Sequence, residues 1–156
     1  MADLERRTAD ELAILRLVAA VAQAVDDRDL EAYRACFADK IRCLQRDEAG
    51  AEAWTAIPAA DYAAGSIAGA ARMDWTHHQV GHSVIAFNGD DASAKADVVV
   101  DMQFTSESGS VDRLTVGGRY DLEFTRLADG WRITARNLVR RYTVGDLAIL
   151  EPRQGP

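Results

Sequence analysis

The chain has little positive charge. Its 156 residues carry 18 lysines and arginines against 25 acidic residues, for a net charge of -7. Nucleic acid and anionic membrane surfaces both need a basic footprint, so neither fits as a partner. No apolar run is long enough to cross a bilayer. The start, "MADLERRTADEL", is charged and lacks the apolar centre of a signal peptide. There are 2 cysteines, Cys36 and Cys43, and they form no CxxC. Without an export signal they read as free thiols of a cytoplasmic protein. Neither GxGxxG nor GxxxxGK[ST] occurs, and no cysteine ligands cluster. The expectation is a protein with no cofactor and no metal.

What is there suits one globular domain over 1–156, with 1–9 and 150–156 frayed. Hydrophobic residues make up 48% and charged residues 28%, an ordinary globular balance, and the length supports a single sizeable core. The first half reads helical. Thr8 and Glu11 fit a capping box, followed by an apolar stripe of Ile14, Leu17, Val18, Val21 and Val25 at helical spacing. This helix ends near "DDRD". Asp29 caps a second helix, "LEAYRACFAD", with Leu30, Tyr33 and Phe37 on its inner face. "KIRCLQ" and "AWTAI" read as strands around a polar turn at "RDEAG". Pro58 opens a third helix, "PAADYAAGSIAGAAR", which Gly65 and Gly69 weaken in isolation.

The second half reads as long strands joined by hairpin-type turns at "NGDD" and "ADG", hence an antiparallel sheet. Helices first and a meander after is an α+β order.

The 3 histidines all fall within "WTHHQVGHSVIAF", as His77, His78 and His82. Strand alternation puts His78, Val80, His82 and Val84 on one face and His77, Gln79, Gly81 and Ser83 on the other. Four strand residues span roughly 13 Å, too far for His78 and His82 to share a zinc whose ligand nitrogens lie ~2 Å from it. His78 reads either as a hydrogen-bonded polar residue of a sheet or as a general base facing a pocket. A base needs a partner to fix its tautomer. The candidate is Asp26, which ends the first helix against the macrodipole and follows Val25 on the apolar stripe.

The segments "ELAILRLVAAVAQAVDDRDLEAYRACFAD", "THHQVGHSVIAF" and "GGRYDLEFTRLADGWRI", in this order and spacing, resemble the SnoaL-like branch of the nuclear-transport-factor-2-like superfamily. The closest look is to its scytalone dehydratase and hexachlorocyclohexane dehydrochlorinase group. The resemblance runs from about Asp10 to Tyr142. It implies an α+β cone, in which a curved antiparallel sheet wraps the helices around an apolar pocket. It also implies a homodimer or homotrimer formed through the outer sheet face.

In that group an Asp closing the first helix and a His opening the second-half strand form the catalytic dyad. The matching residues here are Asp26 and His78. Val25 stands where dehydratases often carry tyrosine, and Val21 where the dehydrochlorinase has lysine, so the inner helix face is more apolar here. His82 stands where the family has a small polar residue or Asn. It is a second polar group of the pocket or a structural residue.

Arg136 and Asn137 are adjacent on the last strand, so only one can point inward. Asn137 is the expected pocket residue, because an inward arginine needs a carboxylate or an anionic substrate to offset its desolvation. Arg119 reads as an outer-face residue. Trp54, Tyr62, Trp75 and Met102 line the cavity or pack the core. Their character suits a planar, weakly polar substrate.

The leading expectation is a cofactor-free lyase acting on a cyclic or aromatic small molecule through Asp26 and His78. The same dyad suits an isomerase or a polyketide-type cyclase. A non-catalytic module, like the small subunit of ring-hydroxylating dioxygenases, needs no dyad and predicts a solvated Asp26 far from His78.

Overall fold

The computed structural model describes residues 1–46 and 51–150. Helix α1 (Ala2–Asp26) is followed by α2 (Leu30–Ala35), β1 (Phe37–Arg46), β2 (Glu52–Pro58) and α3 (Ala59–Ala71). Strands β3 (Trp75–Asn88), β4 (Asp91–Thr105), β5 (Val111–Leu127) and β6 (Gly130–Gly145) complete the sheet, and a 3-10 turn spans Leu147–Leu150. The six strands run in the order β2-β1-β6-β5-β4-β3. All neighbours pair antiparallel except β1 and β6, which are parallel. The helices pack on one face of this curved, unclosed sheet, giving an α+β fold.

The helix stripe is realised. Ile14, Val18, Val21 and Val25 are all buried. The start of α1 differs from the expected capping box and frayed end. "ADLERR" is good helix-forming sequence, so the helix begins at Ala2, and Thr8 hydrogen-bonds back to the Leu4 carbonyl at 2.9 Å. Asp29 caps α2 as expected, accepting from the Ala32 N–H at 2.9 Å. That helix is shorter than expected. Tyr33 is fully buried and Phe37 nearly so, but Phe37 already belongs to β1 and Leu30 is exposed. Ala59, Ala63 and Ala70 bury the face of α3, and packing there holds a helix that its glycines weaken. The polar turn expected at "RDEAG" and the frayed tail "EPRQGP" fall largely or wholly outside the described residues.

Four register shifts interrupt the sheet, one of them between Phe37 and Arg42 where β1 pairs with β6. Between Val80 and Ser83 β3 holds one residue more than β4. Between Ile133 and Ala135 β6 holds one more than β5, and Gly117 and Gly118 face another shift. Such bulges kink a strand and reset which face its side chains take. They explain two corrections below. Among the described residues no helix is long and apolar enough to cross a membrane.

Candidate active site

Asp26 ends α1, and β3 runs past that end. The Asp26 carboxylate accepts three hydrogen bonds from the first turns of β3. The His78 backbone N–H donates to Oδ2 at 2.6 Å, the Thr76 hydroxyl donates to Oδ1 at 2.8 Å, and the His78 Nδ1 lies 2.6 Å from Oδ1. These donors offset the unfavourable end of the helix dipole. Both side chains are only 12% exposed. A carboxylate on Nδ1 makes that nitrogen the protonated one and leaves Nε2 with a lone pair.

Burial pushes the pKa of His78 below its ordinary value. The hydrogen bond and charge of Asp26 oppose that shift, and the nearby Arg136 cation reinforces it. His78 is thus a neutral imidazole at neutral pH.

The turn after α1 is fixed from the other side. Arg28 adopts a left-handed φ of 58° and donates from Nη2 to the carbonyls of Met73 at 2.6 Å and Asp74 at 3.0 Å. It ties the end of α1 to the residues that lead into β3.

His78 borders a cavity of about 240 Å³ together with Val25, Tyr33, Ser66, Thr76, Val100 and Met102. Leu150 of the 3-10 turn adds to its wall, and Arg72 holds that turn by donating to the Leu150 carbonyl at 3.0 Å. A larger cleft of about 800 Å³ opens between the β1–β2 hairpin and β6, lined by Cys43, Gln45, Ile57, Tyr62 and Tyr120. Arg136 borders both spaces.

Arg136 is the largest departure from expectation. The extra residue in β6 puts Arg136 opposite the buried Leu122, so it is the arginine that points inward. Asn137 pairs with Asp121 instead and touches only the larger cleft. Arg136 donates through Nη1 to the hydroxyls of Tyr33 at 2.7 Å and Tyr62 at 3.2 Å, and through Nη2 to Tyr120. Its guanidinium also lies 4.2 Å from the Tyr120 ring centroid. Burial disfavours this cation, and the surrounding phenol oxygens act against that. Tyr33 stacks on Tyr62 at 6.4 Å, and Phe37 meets both edge-on, so the aromatic cluster holds two of the three phenols in place. Burial pushes the Tyr33 hydroxyl up to about 12, which keeps it a neutral phenol.

The other expected site residues divide. Val25, Tyr62 and Met102 border the two spaces. Val21 is buried in the helix–sheet core. Three residues lie away from the cavity of His78. Trp54 is 49% exposed, beside Arg42 and a groove with Lys95, Asp121 and Glu123. Trp75 is 40% exposed and shares the sheet's outer face with His77 and Asp101. His82 is exposed because the bulge at Gly81–His82 breaks the alternation. Thr76, His78 and Val80 face in, and after the extra residue Ser83, Ile85 and Phe87 do so instead. Val84, expected beside His78, is therefore on the exposed face. Arg119 bonds Asp121 at 2.8 Å, in keeping with an outer-face role. Thr76, Tyr120 and Arg136 were not read as site residues. No local sequence pattern pointed to the last two, since Tyr33, Tyr62 and Tyr120 meet Arg136 only in the folded chain.

The SnoaL-like domain model matches residues 6–137. The chain belongs to the SnoaL-like family. Its fold is shared with the Kfla4162 protein of Kribbella flavida, at 26% identity and a TM-score of 0.80, covering 92% of this chain and 97% of that one. A putative aromatic ring hydroxylase from Novosphingobium aromaticivorans is also 26% identical, with a TM-score of 0.74 and coverage of 92% and 98%. A putative scytalone dehydratase from the same organism matches at 17% identity and a TM-score of 0.74, covering 92% of this chain and 91% of that one, which shows the common fold. Among curated proteins none matches significantly. Among the described residues of this SnoaL-like chain, no three histidine, cysteine or carboxylate side chains gather as a metal-binding group.

Proposed function

We propose that this SnoaL-like protein is a cofactor-free lyase that eliminates water from a cyclic or aromatic small molecule. The observation that carries the reading is the 2.6 Å contact of His78 Nδ1 with Asp26 at the wall of a largely apolar cavity. His78 Nε2 takes a proton from a carbon beside a carbonyl or aryl group. The C–H electron pair moves into that group as an enolate and then forms the new double bond as the neighbouring C–O bond breaks. The imidazolium returns its proton to the departing hydroxyl, so water leaves and His78 is neutral again. Asp26 keeps the ring oriented and stabilises its charged form. The scaffold reading, a non-catalytic subunit with a solvated Asp26, sits poorly with a side chain 12% exposed and bonded three times.

The test follows proton removal, the step that lyase, isomerase and cyclase share. Cyclic β-hydroxy ketones are incubated in heavy water, and both deuterium uptake beside the carbonyl and loss of water are followed. His78→Ala is expected to slow uptake by about 10² to 10⁴, and Asp26→Asn to slow it with little change in KM. Uptake without water loss moves the reading to isomerase or cyclase. Equal uptake by His78→Ala and the native protein removes the dyad from the mechanism.

A further inference from the structure

The arginine between the two cavities is buried without a carboxylate. Among the described residues its hydrogen bonds go to three phenols and to no acid. A guanidinium has five N–H donors. Three are used, so two remain. Each phenol accepts from Arg136, which leaves its own proton to donate elsewhere. Tyr33 has Ser66 and Tyr62 as neighbours for that proton. Tyr62 and Tyr120 border the larger cleft. The cluster is therefore a set of donors around a fixed positive charge, with few acceptors to match it. Neutral phenols stabilise such a cation less than a carboxylate does, so a buried charge of this kind is best balanced by an anion that arrives with the ligand.

The two spaces set the ligand's shape. An apolar cavity of about 150 Å³ takes up benzene, so the 240 Å³ cavity beside His78 accommodates one substituted six-membered ring. Arg136 stands at its edge, where it meets the 800 Å³ cleft. A ring in the inner cavity thus places a substituent at Arg136 and a larger group in the cleft.

We infer that the ligand of this site is a cyclic or aromatic carboxylate, with its ring beside His78 and its carboxylate paired with Arg136. The inference rests on the lyase reading only for the ring's placement. Arg136 is the residue that selects for the acid.

Binding tests this without turnover. Benzoate and its neutral analogue benzamide are titrated into the full chain by calorimetry, with the His78 imidazole signal followed by NMR. Benzoate is expected to bind about 10-fold more tightly or better and to shift the His78 signal. Arg136→Met should remove that preference while keeping benzamide binding. Tyr120→Phe, which keeps the ring, should reduce the preference in part and serves if Arg136→Met does not fold. Benzamide binding as tightly as benzoate, a preference that survives Arg136→Met, or no saturable benzoate binding at millimolar concentration would each overturn the inference. None of these results depends on activity. A failed lyase with a retained benzoate preference would mark an acid-binding module, and an active lyase without the preference would leave the dyad standing alone.

Discussion

At the residue scale, the protonation of His78 sets the acid limit of the chemistry. Its pKa is lowered first by burial, which outweighs the contribution of Asp26. The base form therefore persists below the ordinary value of about 6.5. The expected kcat/KM profile is flat at neutral pH and falls with unit slope on the acid side, with its midpoint below 6.5. An acid limb centred above 6.5 would mean that Asp26 controls the ring and burial does not. The same shift links to stability. A base whose folded pKa is depressed binds fewer protons when folded, so its contribution is complete above the unfolded value and is lost as pH falls through the folded one. The resistance of the native chain to chemical denaturation should thus fall as pH drops below about 6.5, by more than that of His78→Gln. The pairing of Asp26 with His78 was legible from Asp26 following Val25 on the apolar stripe and from the resemblance to the family's dyad. Arg136 was not. The desolvation argument against an inward arginine was sound, but its answer lay in phenols contributed by α2, α3 and β5, which no local pattern brings together.

At the element scale, side-chain direction was lost where strands carry extra residues. Alternation from His78 sends His82 inward, and the desolvation cost of an inward Arg136 placed its neighbour Asn137 inward. The bulges of β3 and β6 reverse both assignments. The order of elements, the hairpins and the apolar helix face were legible, because each depends on periodicity or turn chemistry within one segment. The parallel pairing of β1 with β6 joins distant segments and left no such trace. The junction of α1 with β3 depends on Arg28. An L-residue at φ 58° is strained, and here the strain places a guanidinium on the Met73 and Asp74 carbonyls. Arg28→Gly relieves the strain and loses the clamp, whereas Arg28→Ala loses the clamp and keeps the strain. Denaturant unfolding should show Arg28→Ala less stable than Arg28→Gly by about 1 kcal/mol. Both should lower kcat more than they raise KM, since the dyad loses its registry while the cavity wall remains. Two variants with native kcat would show that Asp26 and His78 hold each other without help.

At the scale of the whole molecule, α1 links two ends with different duties. Asp10 and Asp26 stand 16 residues apart, about 24 Å along a helix. At the Asp26 end the structure keeps a cavity and a base. At the Asp10 end it closes the core with paired charge. Asp10 is buried, accepts from Arg126, and accepts from the Trp131 indole N–H at 3.2 Å. Arg126 lies 4.5 Å from the Trp131 ring centroid and reaches Asp90 at 3.2 Å. The Arg126 hydrogen bond holds the Asp10 carboxyl below the usual range, so this end contributes stability above about pH 3.8 that is lost on further acidification. Asp10→Ala leaves the buried Trp131 N–H without its partner, a loss of about 1–3 kcal/mol. Asp10→Asn keeps an acceptor and should recover part of it. Because the site lies several helical turns away, kcat, KM and the benzoate preference should match the native protein in both variants at a temperature where they are folded. A variant that loses stability and site function in proportion would show that α1 transmits strain along its length and that the two ends of the core form one cooperative unit.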